Sequence, residues 1–166
     1  GGPGAGRAVF GAGGGGSTWT RATVRVLRKY LALYEPCYVE DVSLSYQAWK
    51  RGWRSIYAHD SVVHHAHPGT SNRVFGRERL ERLNWRNREL FFVRSITDPT
   101  LVIAHALFWP WNLRKHARQL GISMAHGVLA SLAVVPRLGH ALRERIKSRL
   151  LYRRTDRQVL AQVRHE

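Results

Sequence analysis

GGGGSTWTRATVRVLRKYLALYEPCYVEDVSLSYQAWKRGWRSIYAHDSVVHHAHPGTS, residues Gly13–Ser71, passes from glycine through helical to strand-like patterning. From Thr20 to Leu33, and on to Tyr34, the side chains of Val24, Leu27, Tyr30 and Leu31 recur at the spacing of one helical face, which predicts a helix over a core. Pro36 interrupts it. Asp41 to Arg51 brings Leu44, Ala48 and Trp49 together and stops at Gly52, a residue suited to the left-handed conformation that closes helices. Asp41 then stands at the helix amino end. Trp53 to Ala58 and Ser61 to Ala66 are rich in aromatic and β-branched residues around His59-Asp60, which predicts two short strands or one bent strand.

Downstream, Arg77 to Ile96 interleaves Leu80, Leu83, Trp85, Leu90, Phe91 and Val93 with arginines and reads as a helix. Asp98-Pro99 starts another helix to about Trp109. Residues from Arg118 to about Arg164 read as two or three basic, partly amphipathic helices. Leu101 to Leu113 is too short to span a bilayer, and Leu120 to Val135 falls short of the roughly 18 to 20 residues a span needs. Both are flanked by arginines, and the first carries Trp109 and Trp111, which suits helices lying in a membrane interface.

The glycine run has a phosphate-cradle look, with five glycines among the six residues from Gly11 to Gly16. A Walker-type loop needs a lysine after its second glycine to reach the terminal phosphates. Ser17 stands there instead, so the nucleotide-hydrolase reading fails.

The 166 residues, 44% hydrophobic, suffice for a domain with a real core. The chain opens on Gly1 without methionine, which favours a piece of a longer gene product. Net charge is +16, and 19 of the 27 basic residues lie between Arg73 and Arg164. Such a surplus attracts polyanions, whether nucleic acid, anionic lipid or phosphorylated substrate. The one cysteine, Cys37, excludes an intramolecular disulfide and fits a reducing compartment.

Two clusters can carry chemistry. Glu40-Asp41 at a helix start commonly serves as a cap facing the dipole, yet a carboxylate at the rim of a cleft can accept a proton from an attacking hydroxyl. In a strand His65 and His67 share a face while His64 points away. That pair can contribute to a divalent metal site, although zinc takes three or four protein ligands and manganese favours added carboxylates. A strand end with hydrogen-bonded or solvated imidazoles is the alternative.

Taken in order, these features resemble the carboxy-terminal part of the catalytic domain of family-2 glycosyltransferases, inverting enzymes of the GT-A fold. The elements that match are the small-residue strand and polar turn before Arg21, Glu40-Asp41-Val42-Ser43-Leu44-Ser45, Trp49-Lys50-Arg51-Gly52-Trp53, Ser61-Val62-Val63, and the histidines leading to Gly69-Thr70. Asn84 to Pro99, NWRNRELFFVRSITDP, resembles the segment just after the catalytic core in bacterial members. The likeness covers roughly residues 9 to 112.

The resemblance implies an α/β class, an incomplete GT-A (Rossmann-like) domain over 1–97 with 1–8 flexible, and a basic helical extension over 98–166. It implies that Asp41 is the general base on an acceptor hydroxyl and that Glu40 positions acceptor or base. Gly14, Gly15, Gly16 and Ser17 would border the substrate cleft with Trp49, and His65 or His67 would lie near the metal and donor diphosphate. The donor would be a nucleotide-sugar and the acceptor a cell-envelope or lipid-linked glycan. The cofactor would be a divalent metal (Mn or Mg), held mainly by an Asp-X-Asp motif of the family's first half. The enzyme would be cytoplasmic, with peripheral attachment to the inner face of the plasma membrane as a further expectation.

Two features depart from the pattern. The family's glycine-phenylalanine-aspartate turn is missing from Leu31 to Glu35, and no Asp-X-Asp occurs in the chain. Residues 1–166 alone are therefore expected to carry out no transfer. The rival reading is a basic nucleic-acid-binding protein or a membrane-surface protein without catalysis, supported by charge and by the arginine and aromatic mixture from Arg73 to Arg94. No nucleic-acid reading motif is present, so no specific nucleic acid is expected as partner.

Overall fold

A computed structural model describes residues 7–9, 11, 17–57 and 75–164. Two three-residue strands, β1 (Arg7–Val9) and β2 (Ser55–Tyr57), pair antiparallel with Ala8 opposite Ile56. The helices are α1 (Arg21–Leu27), which continues as a 3-10 turn over Arg28–Tyr34, α2 (Glu40–Lys50), α3 (Arg77–Ser95), α4 (Pro99–Leu120), α5 (Met124–Leu132), α6 (Val135–Arg149) and α7 (Asp156–Arg164).

The expected α/β, Rossmann-like domain is not what forms: 74% of the described residues are helical, and their strands make a single two-stranded ribbon. The physical reason lies in the pattern. A parallel sheet needs several continuous β-branched runs buried on both faces, whereas residues 75–164 repeat their apolar positions at helical spacing. The strand reading of Trp53 to Ala58 yields β2, and that of Ser61 to Ala66 lies outside the described residues.

α2 is buried along most of its length. Glu40 and Asp41 in its first turn suit the positive end of the helix dipole, and Ser43 together with every residue from Ser45 to Lys50 is buried. Ala48 packs on Leu27, while Tyr46 and Trp49 join Ile96 and Val159. Gly52, at φ +86°, turns the chain out of the helix. The amides of Arg153 and Arg154 then cap the Lys50 carbonyl at 2.7 and 3.1 Å, tying the far end of the chain to α2.

The same end carries a buried ion pair. Lys50 and Asp156, each 1% exposed, meet at 2.7 Å. Asp156 Oδ1 also accepts from the Tyr46 hydroxyl at 2.5 Å, and Oδ2 from the Thr97 and Asp98 amides, both at 2.7 Å, and the Thr97 hydroxyl at 2.9 Å. One carboxylate thus fixes α2, the α3–α4 junction and α7. Burial, then the bond to Asp156, pushes the Tyr46 phenol far above its usual range, so it stays a donor.

α4 is longer than its sequence suggests. Asp98 caps it by accepting from the Thr100 and Leu101 amides, and Pro99 occupies a first-turn position where no amide is needed. The sequence predicts a stop near Trp109, ahead of Pro110, but the helix runs on to Leu120 and closes at Gly121. Buried Leu113 and Ala117 lie beyond the proline, and their packing offsets the lost backbone bond. Gly127 of α5 lets the two helices close, since a Cβ there would stand 2.3 Å from Leu113 Cδ1.

Candidate functional site

The site begins with the turn that delivers Glu40 and Asp41. Tyr38 and Val39 both have positive φ, 75° and 74°. Side chains with a Cβ crowd the following carbonyl in that region, at about 1–2 kcal/mol per residue. Asn87 of α3, wholly buried, holds the turn. Its amide donates to the carbonyls of Tyr34 (2.6 Å), Cys37 (2.7 Å) and Tyr38 (3.1 Å), and its oxygen accepts from Arg86. Arg86 and Arg137 add donors to the Glu35 and Leu33 carbonyls. A strained turn so tightly bonded fixes the angle at which α2 starts.

Beyond the turn a cavity of about 840 Å³ opens between the start of α2, α3 and α4. Tyr38, Val39, Asp41 and Val42 form one wall. α3 contributes Asn84, Trp85, Arg88, Glu89, Phe91 and Phe92, and α4 contributes His105, Asn112, Lys115, His116 and Gln119. Long side chains bridge α3 and α4: His105 Nε2 lies 2.9 Å from Glu89 Oε2, its ring stacks on Phe92 at 3.8 Å, and His116 lies 4.6 Å from Trp85. Trp85 is itself pinned by its indole donating to Ser131 Oγ at 2.8 Å.

The lining mixes aromatic faces with amide, carboxylate and cationic groups. Sugar hydroxyls donate and accept, and Asn and Gln amides with carboxylates match them on both counts. Burial, then the neighbouring charge of Arg88, pulls the His116 imidazole below its ordinary value. It is neutral near pH 7, and its Nε2 is buried with no hydrogen-bond partner among the described residues.

Asp41 is half-buried on the cavity wall, where its Oδ1 accepts from the Val42 amide at 2.7 Å. Glu40 is beside it in sequence but does not line the cavity, and its Oε2 is buried without a partner among the described residues. Trp49, expected to touch substrate, is a core residue: 1% exposed, it donates to the Val9 carbonyl at 3.3 Å and lies under the Arg154 guanidinium. Its bulk and apolarity, spaced with Leu44 and Ala48, serve packing. Ser17 accepts from the Trp19 indole at 2.9 Å in a local turn. Gly14, Gly15, Gly16, His65 and His67 lie outside the described residues.

No group of three or more metal-ligating side chains forms among the described residues, so they do not by themselves fit the divalent metal that the resemblance implies. The Cys37 thiol is pushed up by burial and then by Glu40, which disfavours the thiolate a nucleophile needs. None of the described helices is long and apolar enough to cross a membrane. The chain matches no protein-family model, no curated protein and no solved structure.

Sequence reasoning missed Glu89, His105 and His116. Their signal was present as helical spacing, since Trp85, Glu89 and Phe92 share one face of α3, and His105, Asn112 and His116 one face of α4.

Proposed function

We propose that this chain is the acceptor-binding part of an inverting glycosyltransferase and that Asp41 is its general base. The observation that carries the reading is the placement of Asp41 on the wall of a cavity lined by aromatic and amide side chains. A glycan seated there presents a hydroxyl to the carboxylate. As the hydroxyl oxygen bonds to the anomeric carbon of a nucleotide-sugar donor, its proton passes to Asp41 and the bond from that carbon to the diphosphate oxygen breaks. Attack opposite the leaving group inverts the configuration. Asn84, Asn112 and Gln119 hold the remaining hydroxyls.

A nucleic-acid role is weakened by where the arginines go. Arg94 is 0% exposed, Arg86 is spent on the Glu35 carbonyl and the Asn87 side-chain oxygen, and Arg145 donates to the Val93 carbonyl at 2.7 Å. Kinetics test the proposal in the transferase that contains this chain. Asp41→Asn lowers kcat by about 10²–10⁴-fold, the usual contribution of a general base, with the donor KM little changed. Unchanged kcat refutes it.

A further inference from the structure

Ile103, Leu107, Phe108 and Trp111 of α4 are all more than half exposed, with Leu107 at 72% and Trp111 at 68%. Spaced i, i+4, i+5 and i+8, they share one face. Two more turns along that face stand Arg114, Lys115 and Arg118, all exposed. The strip runs about 22 Å at about 1.5 Å per residue, apolar in its first half and basic in its second. Trp109 turns the other way, packing against the Trp85–Leu113–Ala130 cluster. α5 leaves Val128, Leu129 and Leu132 exposed as well.

Charge identifies the occupant. From residue 99 to 164 the chain has twelve basic residues and two carboxylates. Both carboxylates are buried and paired, Glu144 with Lys147 and Asp156 with Lys50. A second copy would bring the same positive charge to the contact. Nucleic acid would match the cations but offers no apolar phase for Ile103, Leu107 and Phe108. An anionic bilayer offers both, an acyl boundary for the apolar strip and headgroups for the arginines.

We propose that α4 lies on an anionic membrane surface, with Ile103 to Trp111 in the acyl boundary and Arg114, Lys115 and Arg118 among the headgroups. Docking stands independently of the transfer reading. If that reading also holds, the acceptor is lipid-linked, because Asn112, Lys115, His116 and Gln119 of the same helix line the cavity.

The test is sedimentation of the 166-residue chain with vesicles of phosphatidylcholine, with and without phosphatidylglycerol. Binding requires the anionic lipid and collapses between about 0.1 M and about 1 M salt, as the screening length falls from about 10 to about 3 Å. Leu107→Gln/Trp111→Gln loses about tenfold or more in affinity, and so does Arg114→Glu/Arg118→Glu, which leaves the apolar strip intact. Both replace surface side chains, and unchanged circular dichroism checks the fold. Asp41→Asn binds vesicles as wild type does, so a failed transfer reading and a failed docking reading are told apart. Docking is overturned if anionic vesicles are not bound, if neutral vesicles bind equally, if either double variant binds like wild type, or if a DNA oligonucleotide binds while vesicles do not.

Discussion

Asp156→Asn removes the charge from the most heavily bonded carboxylate of the core and leaves the Lys50 ammonium buried without its counter-charge. The carboxylate accepts five hydrogen bonds, two on Oδ1 and three on Oδ2, and an asparagine amide turns a donor toward some of those donors. Stranding one partner of a buried pair costs about 3–5 kcal/mol, a large share of the about 5–15 kcal/mol that holds a domain folded. At about 2–4 °C per kcal/mol for a chain of this size, Tm falls by about 6–20 °C. Urea unfolding followed by circular dichroism at pH 7 measures it. Lys50→Met with Asp156→Leu removes both charges but still leaves the Thr97 and Asp98 amides and the Tyr46 hydroxyl without their acceptor, at about 1–3 kcal/mol each, so the double variant does not regain wild-type stability. A loss below about 1 kcal/mol in Asp156→Asn would refute the assignment of Asp156 as the tie between α2, α4 and α7. Burial alone raises this carboxyl, but the bonds from Lys50, Tyr46 and the Thr97 amide outweigh it and hold the folded value below the usual range. Its stabilisation is therefore complete above about pH 4, the unfolded value, and is lost as pH falls through the lower folded value. The gap between wild type and Asp156→Asn narrows over that window.

The site yields three further expected outcomes. Asn87→Ala strips the donor from three carbonyls and costs about 1–3 kcal/mol, with amide hydrogen exchange rising over residues 37–42; unchanged exchange there contradicts the clamp. Tyr38→Asn relieves the left-handed strain, since asparagine tolerates that conformation, and raises stability by about 0.5–1 kcal/mol in thermal melts while altering a cavity wall. For His116, whose folded value is depressed by burial and by Arg88, the unfolded chain binds more protons, so stability falls as pH drops below about 6.5. His116→Gln flattens that part of the pH profile, and an unaltered profile excludes a neutral imidazole at this position.

The helices were legible because their signals are local. Apolar spacing from Arg77 to Ile96, the Asp98-Pro99 start and Gly52 after α2 each act within a turn or two, and α3, α4 and α2 begin or end there. The sheet was misjudged because β2 keeps three residues and its partner is β1, a non-local pairing that no local pattern encodes. Asp41 is legible as a helix-start carboxylate, but the cavity beside it depends on α3 and α4 meeting through Glu89–His105 and Trp85–His116, contacts 16 and 31 residues apart in sequence. Lys50 and Asp156, 106 residues apart, were equally invisible. Trp49 shares the helical face of Leu44 and Ala48, and that spacing, more than the resemblance that set it at a substrate cleft, matches its 1% exposure in the core.

The most direct test of the central claim is a ¹H–¹⁵N NMR titration of the chain with neutral hexose and N-acetylhexosamine oligosaccharides, alongside Asp41→Asn. Saturable shifts are expected at Asp41, Asn84, the Trp85 indole and His116, weakened in the variant while its other resonances stay in place. Shifts that map away from this cavity, or none with any of the oligosaccharides, would contradict it.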